Sequence, residues 1–124
     1  MADWSALQQR LPLMDKARLA QLDGELGTDT LHRLLGLFLE DGRLQGEALS
    51  RTFADGDFEQ MAKSCHSLKS ACGSYGALRC QFLAEKLEAG CRQQDAEATG
   101  ALMVAWELAL SETLSEVQAQ LEAR

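Results

Sequence analysis

The sequence predicts an all-α protein, an antiparallel up-down four-helix bundle with a short N-terminal covering helix. Three observations carry that expectation. Pro12 is the only proline in 124 residues, so beyond it no imino ring interrupts a helix. β-branched residues are scarce, with two Val and no Ile, while Leu, Ala, Glu and Gln dominate; these are good helix formers. Apolar residues recur at helical spacing in four long segments separated by short turns.

The length suits one core that needs no disulfide or metal. Residues 1–14 are read as an N-terminal segment and 15–124 as a single helical domain.

Asp15 is placed to cap a helix over Lys16–Leu26, with Leu19, Leu22 and Leu26 at helical spacing and Gly27 ending it. Thr28 or Asp29 starts a long helix whose stripe is Leu31, Leu34, Leu35, Phe38, Leu39, Leu49 and Phe53. Gly42 and Gly46 interrupt the stripe, where close packing or a bend is expected. Ala54-Asp55-Gly56-Asp57 reads as a turn, with Asp57 the N-cap of the next helix. That helix runs from about Phe58 to Gly73 and turns Phe58, Met61, Ala62, Cys65, Leu68 and Cys72 inward. Gly73-Ser74-Tyr75-Gly76 closes it. A further helix reads Ala77–Cys91, on Leu78, Phe82, Leu83 and Leu87. Gln93-Gln94-Asp95 then turns the chain into a last helix with Leu102, Val104, Trp106, Leu108, Leu110, Leu114, Val117 and Leu121. It is apolar on more than one face near Trp106, which predicts deep burial or coverage of the bundle on two sides.

Charge narrows the function. A formal net charge of −7 argues against nucleic acid, whose phosphates need clustered Lys and Arg. It argues equally against a polybasic membrane-surface role. No apolar run reaches membrane-spanning length. Met1–Arg10 is polar and has no apolar stretch of signal-peptide length, so a cytoplasmic location is expected. Cys65, Cys72, Cys80 and Cys91 form no C-x-x-C pair and read as small buried hydrophobes.

The Phe58–Gly73 helix carries chemistry on its surface. His66 follows Cys65, a member of the apolar stripe. At about 100° per residue it lies at the solvent boundary. Its helix neighbours are Lys63 at i−3 and Lys69 at i+3. The chain has only four lysines, and two bracket this histidine. The remaining neighbours, Ala62, Ser70 and Gly73, are small, so a partner can approach the outer ring nitrogen without collision. A neutral imidazole is a good nucleophile near neutral pH. Attack on phosphorus gives a phosphoramidate, and Lys63, Lys69 and the Ser70 hydroxyl are candidate donors to its oxygens. No P-loop or Rossmann glycine fingerprint is present, so ATP binding and self-phosphorylation are not expected. No cofactor is expected. A metal site on His66 with Cys65 or Cys72 is disfavoured, because those thiols face the core and the histidine faces out.

The run Cys65-His66-Ser67-Leu68-Lys69-Ser70-Ala71-Cys72-Gly73-Ser74-Tyr75-Gly76-Ala77 resembles the signature of histidine-containing phosphotransfer (HPt) domains. That signature reads His-x-Leu-Lys-Gly, then small residues, then Gly-Ala. Leu87-Glu88, Phe38-Leu39-Glu40 and the Gly56-Asp57 turn resemble further family features, and the likeness spans about residues 13 to 120. Cys65 stands where the family usually has Ala, and Ser70 where it has Gly. The resemblance implies that His66 is phosphorylated and that Lys69 is the family's site lysine. It implies exchange with aspartate-bearing receiver domains of a hybrid histidine kinase and a response regulator, which supply the Mg²⁺. An apolar patch near His66 is expected to dock them, with Leu37, Ala62 and Gly73 as candidates. A monomer is expected, since the active face requires no dimer. The alternative is a helical adaptor in which His66 is incidental.

Overall fold

The computed structural model describes residues 3–123, which form helices and turns with no strand among them. The helices are α1 (Asp3–Arg10), α2 (Lys16–Leu26), α3 (Thr28–Ala54), α4 (Phe58–Tyr75), α5 (Leu78–Arg92) and α6 (Ala96–Glu122). Side-chain caps set three of the starts. Asp15 accepts from Ala17 N, Asp57 from Gln60 N and Asp95 from Ala98 N, at 3.0, 3.1 and 3.0 Å; each satisfies a backbone donor that has no partner within its helix.

α4 ends two residues beyond the expected Gly73, at Tyr75. Gly76 terminates it in the left-handed conformation, φ 75° and ψ 25°, and its N–H bonds back to Cys72 and Gly73. A side chain at Gly76 would put Cβ 2.9 Å from Cβ of Arg18. Glycine is therefore required twice over, by the backbone angle and by the approach of α2.

α3 runs unbroken through Gly42 and Gly46. Close packing explains Gly46, where an added Cβ would lie 2.6 Å from Cδ2 of Leu110 on α6. The most extensive helix contacts join α4 to α5, α5 to α6, α6 to α3 and α3 to α4. The ring encloses a core of Leu35, Leu49, Met61, Leu83, Leu87, Met103, Trp106 and Val117, all fully buried. Cys65, Cys72, Cys80 and Cys91 are buried free thiols within it. Burial pushes the Cys65 thiol up to about 12, which makes it inert at neutral pH.

Three expectations need correction. Leu26 is exposed although it continues the α2 stripe. α6 is not buried on two sides. Trp106 is fully enclosed, but Val104 and Leu108 are 73% and 63% exposed, because α3 and α5 cover only one flank of the helix. The N-terminal segment, which precedes the covering helix expected over Lys16–Leu26, contains a helix of its own, α1. Gln8 is buried, Trp4 packs against the core, and α1 contacts α5.

Candidate functional site

α4 and α5 form the closest helix pair, and the site lies on the solvent side of their seam. Cys65 and Leu68 face inward and anchor α4, which turns the intervening His66 out. The His66 side chain is 60% exposed. Its ring is open to water, yet it is not free to spin. Nδ1 lies 3.2 Å from Oε2 of Glu88 on α5.

Glu88 organises the site. It is buried, 8% exposed, and binds three basic groups. Arg92 Nη2 donates to Oε2 at 2.7 Å and Arg92 Nε at 3.2 Å. Lys69 Nζ lies 3.2 Å from Oε1. The Arg92 guanidinium first, then Lys69 and His66, hold the carboxyl down at about 2, against the opposing effect of burial. Glu88 is therefore an anion at neutral pH and can only accept. Nδ1 of His66 must donate to it, so in the neutral ring the lone pair sits on Nε2, the outward nitrogen.

The bracketing lysines part company. Lys69 is 29% exposed and tied into the Glu88 cluster. Lys63 is 69% exposed and pairs with Glu59 at 3.8 Å, one turn back on its own helix. Ser70 is exposed beside Lys69, and its carbonyl accepts from Ser74 Oγ at 3.1 Å. Gly73 is half-buried. Ala62, expected on the docking surface, is 4% exposed and offers only the floor of a hollow between Lys63 and Arg92. Leu37 is 57% exposed. It lies in a groove between α3 and α4 with Phe38, Leu44, Ala71 and Tyr75, where the Phe38 and Tyr75 rings meet at 4.9 Å.

The roles of Glu88 and Arg92 escaped sequence reasoning. A local signal existed. Glu88 falls between the apolar positions Leu87 and Cys91, and Arg92 follows it at i+4, so an inward-leaning carboxylate with its own counter-ion was readable. Its pairing with His66 was not, because the two are 22 residues apart. Among the described residues, no three His, Cys, Asp or Glu side chains converge to hold a metal. No helix there is long and apolar enough to cross a membrane.

An exposed imidazole with its inner nitrogen fixed by a carboxylate, on a helix surface, is suited to carrying a group rather than to transforming a substrate in a pocket. The sequence of residues 33–120, which includes His66, Lys69 and Glu88, matches the Hpt domain. The chain belongs to the Hpt domain family. Histidine phosphotransfer in two-component relays is its role. The Hpt fold extends beyond the matched segment. The crystal structure of histidine-containing phosphotransfer protein B (HptB) from Pseudomonas aeruginosa PAO1 superimposes with a TM-score of 0.85 at 21% identity, over 91% of this chain and 97% of that one. No curated protein matches the sequence. Hpt proteins are phosphocarriers rather than enzymes in the general sense.

Proposed function

We propose that the phosphoryl group is carried on Nε2 of His66, between aspartate-bearing receiver domains of a hybrid sensor kinase and a response regulator. The observation that carries this reading is the Nδ1–Glu88 contact at 3.2 Å on a ring that is 60% exposed.

In the loading step the Nε2 lone pair attacks the phosphorus of an aspartyl phosphate. The N–P bond forms, the P–O bond to the aspartyl carbonyl carbon's oxygen breaks, and the aspartate leaves as a carboxylate. Nδ1 keeps its proton, so the ring gains positive charge as the bond forms. The Glu88 anion lies against that charge and stabilises it. Lys69 and Ser70, on the same face, donate to the phosphoryl oxygens, and Lys63 adds a long-range positive field. Unloading reverses these bonds on the next receiver. The Mg²⁺ that assists both steps belongs to the receiver, and the chain itself needs no ATP, cofactor or autokinase activity.

Docking uses the face around His66, with Leu37 on one side and Gly73 and the Ala62 floor on the other. The four long helices are proposed to form an antiparallel up-down bundle over 15–124, supported by the short connections and the cyclic contacts of α3 to α6. We assign the protein to the cytoplasm as a monomer, with no nucleic-acid or membrane partner; the net charge of −7 supports this.

The test is transfer from a receiver domain labelled on its aspartate. Label on this chain should be acid-labile, alkali-stable and absent from His66→Gln. Equal labelling of both proteins, or none beside an active donor, overturns the assignment.

A further inference from the structure

On the α5 side of His66 a hollow of about 480 Å³ opens between α4, α5 and the N-terminal segment. Lys69, Ser70 and Gly73 line its α4 wall, and these are the i+3, i+4 and i+7 neighbours of His66. Phe82 lies on the α5 wall. The remaining wall is Leu11, a residue that precedes the segment matched by the family.

Leu11 is held there by its backbone. Arg79, near the start of α5, donates Nε and Nη2 to the Leu11 carbonyl at 3.0 and 2.8 Å. Nη2 also reaches the Gln9 carbonyl at 3.3 Å. The Arg79 N–H bonds to the Pro12 carbonyl at 3.3 Å, and the Asp15 N–H to the Gly76 carbonyl at 2.7 Å. Residues 9 to 15 are thereby strapped across the α4–α5 turn. The side chain of Leu11 is left partly exposed at the hollow.

We propose that this strap is a specificity-determining part of the phosphotransfer interface. Leu11 and Phe82 receive an apolar side chain of the docked receiver domain, beside the polar rim of Lys69 and Glu85. Continuity with the His66 face selects this occupant. A specific interface covers about 800 Å² per partner, roughly a disc of 16 Å radius. Gly73 is seven residues from His66, about 10 Å along the helix axis. A receiver centred on His66 therefore overlies the hollow.

The inference rests on the His66 relay reading, and two phosphoryl donors separate the two. One is phosphoramidate, which phosphorylates an exposed imidazole with release of ammonia and needs no docking surface. The other is a receiver domain phosphorylated on its aspartate. Leu11→Glu should lower kcat/KM for the receiver by about tenfold, mainly through KM, as expected for losing one buried leucine contact. Labelling by phosphoramidate should stay within twofold. Leu11→Ala keeps the strap's backbone bonds and carries the test if the glutamate disturbs the fold, which circular dichroism reports. Val104→Glu, on the exposed side of α6, should match the native protein with both donors. If Leu11→Ala and a folded Leu11→Glu accept from the receiver as fast as the native chain, the strap has no part in docking. If neither donor labels His66 in the native chain, the relay reading falls and takes this inference with it.

Discussion

Nδ1 of His66 lies 3.2 Å from Oε2 of Glu88, the oxygen that Arg92 also grips at 2.7 Å. One carboxylate thus orients the imidazole on α4 and is itself oriented by a cation on α5. Because Glu88 is held at about 2 and stays ionised, it accepts from Nδ1 and leaves the ring's lone pair on Nε2.

Removing that carboxylate should release the ring. In Glu88→Ala, transfer from a phosphorylated receiver is expected to slow by about 10- to 100-fold, the range for a hydrogen bond to a charged group. Glu88→Gln keeps an acceptor without the charge and should fall between. ¹⁵N chemical shifts of the His66 ring give the independent readout. Native protein should favour the Nδ1–H tautomer, and Glu88→Ala should lose that bias. Unchanged shifts in the alanine variant would rule out orientation by Glu88.

The two lysines should differ in effect although they are symmetric in sequence. Lys69 is half-covered and bonded into the Glu88 cluster; Lys63 is exposed and bonded one turn away to Glu59. Lys69→Ala should slow transfer by about tenfold, consistent with one charge-assisted contact. Lys63→Ala should stay within about twofold, since an exposed charge is screened by water and salt. Single-turnover rates with the same receiver decide it, and equal effects would contradict this geometry.

Acid should weaken the fold through Glu88 in a defined direction. Its carboxyl is held at about 2 in the folded protein against an ordinary value of 4.5. In that window the unfolded chain binds more protons, so stability rises with pH. The contribution is complete above 4.5 and is lost as pH falls toward 2. Urea unfolding of native protein and Glu88→Gln should therefore show a difference that shrinks from pH 5 to pH 2. A constant difference across that range would show that Glu88 carries no such linkage.

Gly76→Ala should destabilise without touching the chemistry. The left-handed angle alone costs a non-glycine residue about 1–2 kcal/mol, and Cβ would press on Arg18 at 2.9 Å. The midpoint of urea unfolding should fall while the acid-labile label remains on His66. A native-like midpoint would mean that the α4–α5 turn adopts another conformation.

Much of this was readable locally. Asp15 and Asp57 were recognised as caps from their side chains and positions, and both bond as N-caps do. One step of rotation past Cys65 puts His66 at the solvent boundary, and it is exposed. The close approach at Gly46 was readable as well, as a missing side chain in an apolar stripe. Errors arose where a local pattern had two outcomes. Val104 and Leu108 look like core residues by composition, but hydrophobicity does not say whether a second neighbour exists to cover them. Ala62, four residues from His66, belongs to the inward-facing set of α4 and is buried accordingly, so it reaches the surface only as the floor of a hollow beside Arg92. α1 is not legible locally, because Asp3–Arg10 carries few apolar residues and is held largely by packing against α5.

By itself the sequence determined α2 to α6 in outline, the Asp15 and Asp57 caps, and which side chains share the outer face of α4, because these follow from bonds and rotations within a few residues. Tertiary structure alone decided that Glu88 holds His66, that Arg79 straps Leu11 beside Gly73, and that one apolar flank of α6 stays in water. Those contacts join residues tens of positions apart, and their geometry exists only after the helices have packed.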